Sequence, residues 1–133
     1  MTISESDKKA LIEYRLKQAF ESSEVAALLI QHEKFSASLN RIYYSAFYSV
    51  LALAIKYGFK TSKHLQLIGW FNKNFIATGK IETEYGRILR DCYEYRTSAD
   101  YDSYVEFDEN DVHVLFDEMN TFLQRIELFI KQN

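Results

Sequence analysis

Apolar residues recur at helical spacing along almost the whole of this chain. The steadiest stripe is Val112, Leu115, Phe116, Met119, Phe122, Leu123, Ile126, Phe129 and Ile130, which predicts a helix over residues 108 to 131 with Asp108 as its N-cap. Phe35, Leu39, Ile42, Tyr43, Ala46, Phe47, Val50 and Ala54 form the core stripe of a second helix, about 35 to 57, with Gly58 suited to the left-handed position that ends it. A first helix, about 5 to 31, carries Leu16, Phe20, Ser23, Ala27 and Ile30 along one side. The segment "TSKHLQLIGWFNKNF" reads as a shorter helix that starts after Thr61 or Ser62 and stops at Thr78 and Gly79. Ile81, Tyr85, Ile88, Cys92 and Tyr95 predict another, about 81 to 97, after which "TSADYDSYVEF" loses the period. Short connections between four long helices give an all-α, antiparallel, up-and-down four-helix bundle with one additional short helix.

Composition narrows this to one domain over residues 1 to 133. There is no proline, only four glycines and no repeat, so nothing divides the chain. At this length about two thirds of the unfolded surface becomes buried, enough for a real core. The longest apolar runs, "VAALLI" and "VLALAI", fall far short of the roughly 18 residues a membrane span needs. The amino terminus alternates charges and lacks a secretory pattern, so a cytoplasmic location is expected. Cys92, the one cysteine, falls among aromatics at core spacing and reads as packing.

The net charge of −3 argues mildly against wholesale polyanion binding, but its distribution is uneven. Residues 34 to 81 contain no Asp or Glu, yet hold Lys34, Arg41, Lys56, Lys60, Lys63, Lys73 and Lys80. That window is either an interior helix pair with few surface positions or a face that meets an anion.

At 100° per residue, Arg41, Tyr44 and Tyr48 fall on the side of the second helix away from Leu39, Tyr43, Ala46 and Val50. Arg96 follows Cys92 by one turn, at the margin of a buried stripe, where a guanidinium must be paired or wet. His32, His64 and His113 share no ligand spacing, so no metal is expected. There is no Gly-rich phosphate loop and no nucleophile motif, and no cofactor is implied.

Taken in order, "NRIYYSAFYS", "TSKH" and "RTSADY" on separate helices resemble the HEPN domain, in the branch whose pattern is N-R-x-Y-Y, then S-K-H, then R-x-x-A-D-Y. The likeness runs from about residue 10 to 130. It implies a bundle that commonly pairs as a homodimer, with the motif residues lining a cleft. It also implies prokaryotic roles in toxin-antitoxin-like two-gene modules with a minimal nucleotidyltransferase, and in RNA cleavage. Many ribonucleases of the family carry an arginine followed, after four to six intervening residues, by a histidine. Arg96 supplies the arginine, but Tyr101, Asp102 and Ser103 occupy the admissible positions. A tyrosine, titrating near about 10, is a poor base at neutral pH.

The resulting expectation is a cleft of Asn40, Arg41, Tyr44, Lys63, His64, Arg96, Asp100 and Tyr101 that binds RNA or a nucleotide. Each residue has a plainer role. Arg41 and Arg96 are alternatively internal salt-bridge partners of Asp100 or Glu94, and Asp100 is favoured as the group that fixes an arginine and closes its helix. Tyr43 is core by periodicity. Tyr44 and Tyr48 either stack on a base or pack between helices, and His64 is either a ligand of the anion or a residue that merely starts a helix. Two further functions stand beside RNA binding: a non-catalytic dimeric module that docks the transferase, and a metal-independent ribonuclease using Arg96 with His64 or Tyr101.

Overall fold

A computed structural model describes residues 3–101 and 107–133. It contains α1 (Glu5–Gln31), α2 (Phe35–Lys56), α3 (His64–Phe71), a π-helical turn (Asn72–Ile76), α4 (Thr83–Tyr101) and α5 (Glu109–Gln132). No strand occurs among the described residues, and none of the described helices is long and apolar enough to cross a membrane.

The predicted N-cap of the last helix is used, and the first helix has a side-chain cap that the sequence reading did not name. Ser4 caps α1 by accepting from the Asp7 N–H at 3.1 Å, and Asp108 caps α5 by accepting from the Asn110 N–H at 2.8 Å. Gly58, at φ 75°, closes α2 with the paired bonds Gly58 N–H to Ile55 O and Phe59 N–H to Ala54 O, a Schellman ending. The α1 ending is the same motif built without glycine. Glu33 adopts φ 59°, its N–H reaching Ile30 O while Lys34 N–H reaches Leu29 O. This reverses the chain in three residues and lays α2 back along α1.

Helix α2 is the centre of the bundle, packed against α1, α3, α4 and α5. It is buried on more than its apolar stripe, because Ser38, Ser45, Ser49 and Ala52 face neighbouring helices as well. The small residues let α1 approach closely, and their hydroxyls return to helix carbonyls: Ser49 to Ala46 O, Ser38 to Phe35 O, Ser45 to Arg41 O. Ser22 of α1 donates to the same Arg41 carbonyl at 2.9 Å, tying the two helices at the position of the motif arginine. Along α1 the buried face is Leu16, Ala19, Ser22, Ser23, Ala26 and Ile30; Ala27, expected inside, is exposed, since the close approach to α2 selects the serine side. On α5 the predicted stripe is buried throughout, apart from the half-buried Phe116.

Two boundaries differ from the sequence reading. The short helix changes to a wider turn at Asn72, where Ala77 N–H bonds to Asn72 O five residues back, so the expected single helix is an α segment followed by a π turn. The change keeps Phe71 and Phe75 both buried, stacked with centroids 6.0 Å apart. Helix α4 begins at Thr83, leaving buried Ile81 ahead of it, and runs on to Tyr101. Thr97 Oγ1 returns to Tyr93 O and Arg96 meets Asp100 one turn later, so these polar residues prolong the helix after its apolar period has ended. The remainder of the expected loop, residues 102 to 106, lies outside the described residues.

Left-handed backbone costs a non-glycine residue about 1 kcal/mol or more, and Glu33 bears that cost at a position that is otherwise exposed. Glu33→Gly is expected to raise the unfolding free energy by up to about 1 kcal/mol, measured by urea denaturation at constant m-value. A loss of stability would show that the Glu33 side chain contributes more than its backbone costs.

Candidate functional site

Three helices bring the motif residues together. Arg41, Tyr44 and Tyr48 lie half-buried along α2, His64 opens α3, and Arg96 comes from α4. Tyr44 is the hub: the Arg41 guanidinium carbon lies 5.1 Å from its ring centroid and that of Arg96 lies 5.6 Å away. The His64 ring meets Tyr44 edge-on at 5.8 Å, and Tyr48 leans on it at 5.7 Å.

Arg41 is held without being neutralised. Its Nε and Nη2 both donate to the Asn40 side-chain oxygen, at 3.2 and 3.0 Å, and no carboxylate among the described residues pairs with it. Arg96 has a counter-ion, with Nε 2.7 Å from Asp100 Oδ2. The same Nε makes no hydrogen bond of good geometry among the described residues, so the contact is a charge pair with a misdirected N–H. Of the two expected carboxylate partners, Asp100 pairs with Arg96, and Glu94 makes no ion pair with either arginine among the described residues.

Beneath this polar surface sits a residue that periodicity assigned to the core alone. Tyr43 is fully buried, yet its hydroxyl lies 2.8 Å from His64 Nδ1, and Arg96 covers its ring at 5.6 Å. Phe47 stacks on the imidazole, with centroids 4.2 Å apart and planes 25° apart. A phenylalanine would fill the Tyr43 position equally well, so a tyrosine there signalled a hydroxyl that needs a partner. Burial pushes the Tyr43 phenol far above its ordinary range, only partly opposed by Arg96, and it stays protonated. Burial, with Arg96 adding to it, pulls His64 below its ordinary 6.5, so its ring is neutral at physiological pH.

The remaining predicted residues are placed differently. Lys63 is exposed, and its backbone N–H bonds to Thr61 Oγ1 just ahead of α3. Tyr101, at the end of α4, is 83% exposed and makes no aromatic contact with the cluster among the described residues. Asp102 and Ser103 lie outside the described residues. The structure thus gathers Asn40, Arg41, Tyr44, His64, Arg96 and Asp100, adds Tyr43 and Phe47, and leaves Lys63 and Tyr101 at the margins. Cys92 is completely buried and its thiol is pushed far up, consistent with packing. No group of three metal-ligating side chains occurs among the described residues.

His64 gives the fold a pH dependence of definite sign. Its folded-state value lies below the unfolded one, so as pH falls through about 6.5 the unfolded chain takes up a proton that the folded chain refuses. Stability should decline over that interval and level off once the folded-state value is passed. Urea titrations between about pH 5 and 7.5 should show this slope in the native chain and a shallower one in His64→Phe. Equal slopes would remove His64 as the source.

Comparison with known proteins bears on the family of the fold. A family model for the HEPN domain matches residues 12–129. A protein of Thermotoga maritima named "UPF0332 protein" is 36% identical over 126 residues, covering 95% of this chain and 96% of its own. Two proteins of Methanocaldococcus jannaschii, named "Putative toxin MJ0142" and "Putative toxin MJ0605", are each 29% identical, over 98% and 95% of this chain and 88% and 93% of theirs. With an all-helical bundle, the three motif segments on α2, α3 and α4, and a match across nearly its whole length, the chain belongs to the HEPN domain family.

Proposed function

We propose that this protein binds RNA or a nucleotide, with phosphate oxygens taken by Arg41 and Arg96 and a base laid on Tyr44, as one member of a toxin-antitoxin-like pair with a minimal nucleotidyltransferase. The observation that carries the reading is the convergence of two guanidiniums on one half-exposed tyrosine ring, with Asn40 holding one of them while leaving its charge intact. A planar fork offers paired donors to phosphate, and an aromatic face accepts any base. The toxin names of the two Methanocaldococcus relatives support the two-component setting. Pairing as a homodimer fits the partly buried strip of Tyr44, Tyr48 and Leu51 on α2, and sedimentation showing only monomer at micromolar concentration would remove it.

Binding is favoured over cleavage. Tyr101 is an exposed phenol, and Asp100 occupies part of the Arg96 charge, so the arginine has no acid-base partner on its own helix. The purified chain is expected to cleave RNA weakly or not at all.

Fluorescence anisotropy of a labelled single-stranded oligoribonucleotide tests the reading directly. Affinity should fall by about 0.7 log units per log unit of salt for each phosphate neutralised, and Arg41→Ala should weaken binding about tenfold while flattening that slope. Absence of binding at low salt, or a salt-independent affinity, would sink it. Binding by the monomeric native chain that is indifferent to Arg41 and Arg96 would move the interface elsewhere and favour a non-catalytic module that docks the transferase.

A further inference from the structure

We infer that Tyr43 is a positioning residue that fixes His64 in its Nε2–H form, so the ring offers the cleft a hydrogen-bond donor and no base. The inference deepens the binding function proposed above, and rests on it for what the donor meets.

The argument is an account of two protons. Tyr43 has no exposure to solvent, and His64 Nδ1, 2.8 Å away, is the one hydrogen-bond partner of its hydroxyl among the described residues. If the phenol donates, Nδ1 must carry a lone pair, and the neutral ring then bears its hydrogen on Nε2. In the reverse arrangement Nδ1–H would donate to the phenol oxygen. The phenolic proton would then be buried without an acceptor, which disfavours that tautomer by about tenfold or more. Conversion to imidazolium is opposed as well, since it would strip Tyr43 of its acceptor and set a second cation beside Arg96. Among the described residues, the groups recorded against the ring are Tyr43, Tyr44 and Phe47 of α2 and Arg96 of α4, none of them an anion that would favour the charged form. Phe47 stacked on one side prevents the ring from flipping without leaving its contact.

The chemical role of His64 follows. A general base toward a ribose hydroxyl needs the Nε2 lone pair, which this tautomer lacks. What Nε2–H can do is donate to an oxygen of a bound phosphate, alongside the arginine forks. His64 is then an uncharged recognition group, and its contribution to binding does not depend on being protonated.

Two-bond proton-nitrogen correlation on histidine-labelled protein reads the tautomer without any ligand. The native spectrum should show His64 with a pyridine-like Nδ1 and a protonated Nε2, and Tyr43→Phe, which keeps the ring and removes only the hydroxyl, should introduce the other tautomer. A native Nδ1–H form, or a tautomer unmoved by Tyr43→Phe, overturns the inference; should the variant fail to fold, the native spectrum alone decides. Binding of the labelled oligoribonucleotide supplies the second arm. His64→Gln, whose amide donates from a similar place, should stay within about threefold of native affinity, while His64→Phe should lose about tenfold. Equal losses in both would show that the donor is not what the cleft uses. Should the native chain bind no RNA while its His64 is Nε2–H, the binding function fails and the positioning role of Tyr43 stands.

Discussion

The buried face of a helix packed against four others has no solvent to satisfy its polar groups, and α2 carries such a face here. Every polar side chain it buries must find a partner within the protein, and the partners chosen shape the molecule. Serines turn back onto helix carbonyls and admit α1 at close range. Tyr43 reaches out of the core to the first residue of α3. The apolar packing of the bundle and the chemistry of its cleft are therefore joined through one hydroxyl, which belongs to the core by position and to the site by contact.

The same enclosure explains the uneven fate of the seven cations between residues 34 and 81. Lys56 is drawn inward, its ammonium donating to Ile130 O at 2.8 Å, where it satisfies a carbonyl in the last turns of α5. Arg41 lies half-buried against Tyr44, while Lys34, Lys60, Lys63, Lys73 and Lys80 are exposed. An acid-free stretch of sequence thus combines helix capping, a guanidinium held against an aromatic ring and solvated charge. The interior-pair reading describes Lys56, and the anion-facing reading is the proposed role of Arg41.

Much of the fold was legible because α5 and α2 repeat their apolar residues with a constant period, and Asp108 and Gly58 mark ends by mechanisms that depend on local chemistry alone. Glu33 was not legible: a left-handed residue without glycine carries no local sign, and only the demand that α1 and α2 pack together holds it there. The π turn was hidden for a similar reason, since Phe71 and Phe75 at a spacing of four read as continuous α-helix until both must face the same core. In the site, Arg41, Tyr44, His64 and Arg96 stood out as polar interruptions in motif order. Tyr43 did not, because periodicity sees its ring and is blind to its hydroxyl. Lys63 and Tyr101 share the motif segments but sit at the ends of helices, where one further step along the backbone turns a side chain outward.

Helix α3 has eight residues, fewer than an isolated helix needs to persist in water. What holds it in place is the burial of Leu67, Phe71 and Phe75, the last of these packed edge-on against Phe129 near the far end of α5. The imidazole of the cleft is thus mounted on the short arm of a lever whose anchor is an aromatic cluster three turns away. Among the described elements α3 and its π turn are the shortest, so they depend most on packing supplied by the rest of the bundle. Loss of that packing would withdraw His64 while both arginines, carried by α2 and α4, kept their own helices.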